Sequence, residues 1–481
     1  MSLKRVFTDT LLFSMANMGG RVLGMLLVPL YVQYINPDDY GKMDMLQVVI
    51  TIVSLLVVAG IPSALFRFYH SMPESERPVL VNTGLFGIML LVLPVSLGLW
   101  LAAPGLSQAF FQFEHASLYM RLMIGTMALT LPTDYLSGLL MLKGETRRYV
   151  TVKLGYTVIS LVLNIVFVAG FKWGILGLLA SALVSLVPKL GVLIWFLGKD
   201  LRFQIDRVIL RRILRFGAPL IMASISGWIL SSSDRFFLKH YSTYEQIGLY
   251  SIAYKFAGGL NFMVISPVIA AWTRTAFEYQ TSPDLPAMFK RITRVFLSIG
   301  LLIIVCSSAL IPEALVVLTN PKYYGAYLAY PALIASFVAF GLNRMFEIPL
   351  QLVNRSALSG VLGSCAMLFN LVFNILLIPR YGILGAALST FMSYILNNLV
   401  FYYFVKKYNP MPYPMAAALG LSLVGLGVVL VTLLPALALG IWAKLPLLLG
   451  FGGLVLLWNR EEWHRFPPAW LALRRKLKLA A

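Results

Sequence analysis

The chemistry this chain offers lies in ionisable residues set inside long apolar runs. Arg21 stands at the midpoint of LLFSMANMGGRVLGMLLVPLY, Leu11 to Tyr31. A run of about 20 mostly apolar residues covers a hydrocarbon core of roughly 30 Å. An arginine at that depth costs on the order of 2.5–3.5 kcal/mol on insertion scales, so it faces protein, water or a partner rather than lipid. A guanidinium in a wet cavity grips an anionic group bidentately, as phosphate recognition requires. Lys255, Arg235, Lys239, Arg121 and Lys189 are further cations in or beside such runs. Each has a structural alternative. Asp234 is placed to neutralise Arg235, Arg121 to meet headgroups, Lys255 to snorkel, and Lys189 to find a carboxylate. Two acids, Asp44 and Asp134, are the ion-coupling candidates, and pairing with the arginines is the simpler role for both. Arg344 and Glu347, three apart on one helix, read as an internal salt bridge.

Enzymatic chemistry finds no support. His70, His115, His240 and His464 stand singly, without metal-ligand spacing, and there is no phosphate-cradling loop or nucleophile elbow. The outer loops are short, whereas a membrane polymerase or ligase is expected to carry a larger one. Cys306 and Cys365 sit within apolar segments and read as packing residues. No cofactor, metal or catalytic residue is expected.

The elements that position these charges are membrane helices. With 481 residues, 59% hydrophobic and 12% charged, and a mean hydropathy of +0.82, the chain is too apolar for a water-soluble protein. The first run is too long for a signal-peptide core and lacks a small-residue cleavage site, so it is expected to be retained. Apolar runs predict an all-α membrane protein of about fourteen spans: 11–34, 43–65, 79–103, 118–142, 149–170, 174–198, 216–238, 247–272, 293–318, 327–350, 356–378, 382–405, 413–436 and 440–458. The split at PRYG, Pro379 to Gly382, is the tightest. With a cytoplasmic N-terminus the even count returns the C-terminus to the same side, where most of the 39 Lys and Arg then fall. Basic residues beside anionic lipids account for the net +20 without nucleic acid.

An internal repeat organises the spans. LVLNIVFVAGFKWGILGLLASALVS, Leu161 to Ser185, matches LVFNILLIPRYGILGAALSTFMS, Leu371 to Ser393, pairing Asn164 with Asn374 and one GILG with the other. Tyr34 and Gly41 match Tyr241 and Gly248 at nearly the same offset. Six spans separate the copies, so the halves share one orientation, as in parallel-repeat transporters with a site between halves. Arg21 answers to Trp228, so its charge is not needed to build the lobe; Lys255 answers to Val48 and is expected to line the same cavity. Asn164 and Asn374 recur and read as interhelical hydrogen-bonding residues. The expected domains are an N-terminal lobe over 1–198, an amphipathic cytoplasmic linker over 199–215 that reads as an interfacial helix, a C-terminal lobe over 216–407, two appended spans over 408–459 and a basic tail over 460–481.

The opening FSMANMGGRVLGMLLVPLYVQYINPDDYGKMDMLQVV and the later RFGAPLIMASISGWILSSSDRFFLKHYSTYEQIGLYSIAYKF resemble polysaccharide transporters of the MOP flippase superfamily, Wzx type, over essentially the whole chain. The resemblance implies a flippase carrying an undecaprenyl-diphosphate-linked oligosaccharide from the inner to the outer leaflet of a bacterial cytoplasmic membrane by alternating access. The sugar-diphosphate head would occupy a cationic central cavity, with Arg21, Arg235 and Lys255 at the family's basic positions. Anionic lipids and other polysaccharide-assembly proteins are the expected partners. The last two helices would hold the lipid tail by analogy with lipid II flippases. A MATE-like drug or cation antiporter and a lipid II flippase are the alternative functions. The antiporter would depend on Asp44 or Asp134 and tolerate loss of Arg21.

Overall fold

The computed structural model describes residue 24 and residues 27–58, 60–433 and 440–460. Arg21 and the tail beyond Arg460 lie outside them. The described chain is helical without a strand, and ten of its helices are long and apolar enough to cross a bilayer. It divides into two compact units, Met1–Ser251 and Ile252–Ala481.

In the first unit, residues 27–34 end a first helix and Asn36 caps the next, accepting from the Asp39 amide at 2.8 Å. With Pro37 at the first position and Asp38 and Asp39 in the first turn, NPDD is a helix-start signal, and Lys42 closes it by pairing with Asp38 at 2.6 Å. Helix α1 (Pro37–Val58) follows, then α2 (Ile61–Phe68), α3 (Arg77–Leu106), α4 (Ala116–Leu142), α5 (Thr146–Asn164), α6 (Gly174–Leu197), α7 (Arg207–Tyr241) and α8 (Tyr244–Leu260). The single span expected over 43–65 is thus two helices, because the chain breaks at Gly60 ahead of Pro62, which has no amide to continue the ladder. The core of this unit joins Ile61, Leu65 and Phe68 of α2 to Leu85 and Ile88 of α3, Tyr135 and Leu139 of α4, and Ile213 of α7.

The expected interfacial linker helix also takes another form. Residues 201–206 have no regular structure and are strapped to α3: Asn82 donates to the Asp200 carbonyl at 3.2 Å and accepts from the Arg202 amide at 2.9 Å. Thr83 accepts from the Asp206 amide at 3.0 Å. Asp206 then caps α7 through the Val208 and Ile209 amides, and the basic residues run straight into the spanning part of this 35-residue helix. At 1.5 Å per residue α7 is about 52 Å long, well beyond the hydrocarbon thickness.

The second unit continues α8 through one wide turn, Asn261–Ile265, where Pro267 interrupts the normal bonding, into α9 (Ser266–Glu278). Then come α10 (Leu285–Leu318), α11 (Tyr330–Leu352), α12 (Ser356–Tyr408), α13 (Met415–Leu433) and α14 (Ile441–Trp458). Among these spans α11 is the most enclosed, and Arg344 on it pairs with Glu347 at 2.7 Å. A straight α12 of 53 residues would reach about 80 Å; it breaks instead at Gly382, φ 54°, within PRYG. Gly174 likewise has a positive φ, 56°, at the equivalent GILG. Both hairpins need glycine there for one physical reason, the penalty a Cβ meets at positive φ.

Helices α10 and α14 run antiparallel in a fixed register. Asn459 donates to Ser298 Oγ at 2.7 Å near one end, and Lys444 reaches Glu313 at 2.6 Å and the Ala309 carbonyl at 2.9 Å near the other. Between these polar ties lie Leu301, Val305, Leu448, Phe451 and Val455.

Candidate functional site

Among the described residues of the first unit, the densest buried charge lies where α1, α7 and α8 meet. Arg235 on α7 is 5% exposed. Its Nε donates to Asp44 Oδ2 on α1 at 3.2 Å, and its Nη1 donates to Asp234 Oδ1 at 2.8 Å and to the Ser231 carbonyl at 2.7 Å. One cation faces two carboxylates, so further donors are required if both acids are to remain charged away from water. Helix α8 supplies them: Tyr250 OH donates to Asp234 Oδ2 and Ser251 Oγ to Asp44 Oδ2 at 2.6 Å. The guanidinium also lies 5.0 Å from the Tyr250 ring centre.

Just above this network the backbones of α1 and α8 touch. A Cβ on Gly41 would strike the Tyr244 carbonyl, and a Cβ on Gly248 would strike the Pro37 carbonyl. These are reciprocal contacts between repeat-equivalent positions. Gly41 corresponds to Gly248, Pro37 to Tyr244, and Asp44 to Ser251, its own hydrogen-bond partner. Small residues let the two helices close here, with a polar knot immediately beneath.

The other candidate cations are distributed around the first unit. Lys239 lies over the rings of Phe111 and Tyr244, at 5.4 and 5.9 Å, and Tyr244 OH donates to the Phe111 carbonyl at 2.7 Å. Arg121 stacks 4.5 Å from the Trp100 ring centre and donates to that residue's carbonyl at 3.3 Å. Lys189 pairs with Asp134 at 2.7 Å and sits 5.1 Å from the Tyr156 ring centre. The Lys189 side chain is 9% exposed and that of Asp134 63%, so this pair presents its carboxylate outward. Lys255 is exposed, in the second unit. Arg21 lies outside the described residues. The structure thus joins Arg235 to Asp44 and Lys189 to Asp134, and keeps Arg121 on its own aromatic partner.

Asn164 accepts from Tyr31 OH at 3.0 Å, bridging two helices. Asn374 donates to Asn370 at 3.0 Å, which in turn reaches Thr390 across the Gly382 break. Sequence reasoning missed Tyr250, Ser251, Glu313 and Lys444. The signal for Ser251 was present, since it is Asp44 carried through the repeat offset, and Lys444 was a lone cation in the last apolar run.

Residues 6–275 match the profile of a family described as polysaccharide biosynthesis protein. The capsular polysaccharide biosynthesis protein CapF of Staphylococcus aureus is 26% identical over 277 residues, 55% of this chain and 69% of CapF. The succinoglycan biosynthesis transport protein ExoT of Rhizobium meliloti is 25% identical over 247 residues, 51% of this chain and 49% of ExoT. Among solved structures, the lipid II flippase MurJ in an inward closed conformation superposes with a TM-score of 0.71 over 95% of this chain and 99% of its own, at 15% identity. An inward-facing MATE-family multidrug transporter of the MOP superfamily gives 0.64 over 83% and 98%, at 16% identity. At these identities the likeness is one of fold.

Proposed function

Because this chain belongs to the polysaccharide biosynthesis protein family, we propose that it is a flippase that carries an undecaprenyl-diphosphate-linked oligosaccharide across a bacterial inner membrane by alternating access. Both termini are cytoplasmic in this reading, which follows the distribution of basic residues. The α1–α8 crossing then lies at the outer side. With the crossing shut, a head group loaded from the inner leaflet is held off from the exterior; parting it releases the head outward.

The observation that carries the reading is the fate of the acids. A cation or drug antiporter needs carboxylates that can receive its cargo. Here Asp44 is held by Arg235 and Ser251, and Asp134 by Lys189. The remaining basic groups favour an anionic head, and a diphosphate crossing a low-dielectric passage needs such fixed cations. Arg21, at the centre of the first span, is assigned the phosphate contact, with Lys239, Arg121 and Lys255 as secondary cations along the route. Arg235 serves the crossing in its shut form and is available to an anion only once the knot parts.

The test is flipping of a fluorescent lipid-linked oligosaccharide in proteoliposomes. Arg21→Ala should slow transport at least tenfold with protein level unchanged, and Arg21→Lys should restore part of it. Transport of an organic cation that survives Arg21→Ala and fails with Asp134→Asn would establish the antiporter instead.

A further inference from the structure

The first turns of α7 hold an unused set of cations. Arg207, Arg211 and Arg215 follow one another at i, i+4 and i+8, one stripe on one face of the helix, and all three are exposed. Among the described residues none of them has an ion-pair, hydrogen-bond or aromatic partner. That sets them apart from Arg77, Arg148, Arg235 and Arg344, each engaged with a carboxylate. Leu210 and Leu214 lie beside the stripe on the same stretch of helix.

The helix cannot turn this face inward. Ile213, on the opposite side, is 1% exposed in the core of the first unit. Arg212 is drawn aside, 4.6 Å from the Phe68 ring centre, while Arg67 lies 5.0 Å from the ring of Phe216. Phe68 and Phe216 meet edge to face at 5.5 Å. This double aromatic clasp fixes the rotation of α7, and the Asn82–Thr83 strap fixes where it begins. The first-turn acid, Asp206, is committed to the helix cap. What is left is a rigid cationic strip with an apolar flank.

Its height says what it fits. Arg215 and Arg235 are 20 residues apart on α7, about 30 Å, the thickness of the hydrocarbon core. With Arg235 at the outer margin, Arg215 marks the inner one. Arg211 and Arg207 then stand about 6 and 12 Å beyond it. The headgroup zone of an ordinary phospholipid, with one phosphate, occupies only about 5–8 Å on each side. A strip twice that tall matches an amphiphile with consecutive phosphates followed by a polar head.

We propose that Arg207, Arg211 and Arg215 form a receiving site for the diphosphate head of a lipid-linked glycan at the inner leaflet. This rests on the function proposed above. Guanidinium groups provide bidentate contacts to successive phosphates. The site concentrates substrate beside the protein before the head enters the passage, so its loss lowers transport at low substrate density and leaves the saturated rate nearly intact.

The experiment uses the full-length protein in detergent with undecaprenyl diphosphate as probe and phosphatidylglycerol as competitor, read by native mass spectrometry; the wild-type strip and its variants are all compared in an Arg21→Ala background, so that the central phosphate contact does not mask them. At about fivefold per arginine, the R207Q/R211Q/R215Q variant should bind the diphosphate on the order of 100-fold more weakly, with an unchanged melting temperature. Lysine at all three positions should give an intermediate loss. The wild-type strip should retain the probe against a tenfold excess of phosphatidylglycerol. Equal binding by the wild-type strip and the glutamine variant, or displacement of the probe by equimolar phosphatidylglycerol, would overturn the receiving site while leaving the flippase reading standing. Absence of diphosphate binding to wild type, together with absence of flipping, would remove both.

Discussion

Alanine at Gly41 and alanine at Gly248 should do the same thing, because each places a methyl group on the same crossing from its opposite side. The added Cβ on Gly41 would stand 2.8 Å from the Tyr244 carbonyl carbon and 2.9 Å from the Gly248 nitrogen. On Gly248 it would stand 2.7 Å from the Pro37 carbonyl carbon. The Tyr244 and Pro37 carbonyl oxygens would lie closer still, so the backbones must part by roughly 1.5 Å to restore ordinary contact. The Ser251–Asp44 bond, 2.6 Å now, would open to about 4 Å and cease to be one, and the 3.2 Å Arg235–Asp44 contact would weaken with it. Overpacking of this kind costs about 1–3 kcal/mol, charged here to the shut state alone, which shifts the shut-to-open ratio by roughly 5- to 150-fold. A cysteine at Val48, one turn below Asp44 and buried, reads this ratio as its rate of alkylation by a membrane-impermeant maleimide, with Cys306 and Cys365 replaced by alanine. Both alanine variants should accelerate alkylation by comparable factors. Unchanged labelling in both, or a large effect in one and none in the other, would refute the reasoning from repeat symmetry.

Removing Lys444 alone, as Lys444→Met, leaves Glu313 without its cation and should lower stability in detergent by about 2–4 kcal/mol. Adding Glu313→Leu should recover most of that loss, and thermal unfolding of the single and double variants measures both. Asn459→Ala, at the opposite end of the same helix pair, should cost about 0.6–1.7 kcal/mol by the same assay. Gly174→Ala and Gly382→Ala each force a Cβ into the left-handed region and should cost about 1–2 kcal/mol apiece. Asp134→Asn uncouples a lysine that is 9% exposed; if Lys189 then serves as an anion site, the apparent affinity for lipid-linked substrate in proteoliposomes should rise rather than fall.

The sequence carried much of this architecture because its signals were local. Apolar runs placed the helices, and the repeated GILG marked two breaks that glycine accommodates easily. The span over 43–65 misled because periodicity does not register a single left-handed residue such as Gly60 followed by an amide-less proline. The linker misled for a related reason. Its amphipathic pattern suits a separate interfacial helix, yet the Asn82–Thr83 strap and the Asp206 cap, contacts distant in sequence, set the chain directly into α7. Of the candidate site, the identities of the charges were legible and their partners were not. Arg235 had a neighbouring acid in the sequence, but Asp44 lies 191 residues away. Only the repeat offset linked Asp44 to Ser251, and only the fold brings that equivalence into contact.

The most direct measurement is leaflet transfer of a fluorescent undecaprenyl-diphosphate oligosaccharide by the purified full-length protein in proteoliposomes, with the crossing locked and unlocked. Wild type should move the substrate. Arg21→Ala should slow it at least tenfold, and Gly41→Ala should change its rate in step with Val48→Cys alkylation. Transfer no faster than in protein-free vesicles, or transfer indifferent both to Arg21 and to the state of the α1–α8 crossing, would contradict the account.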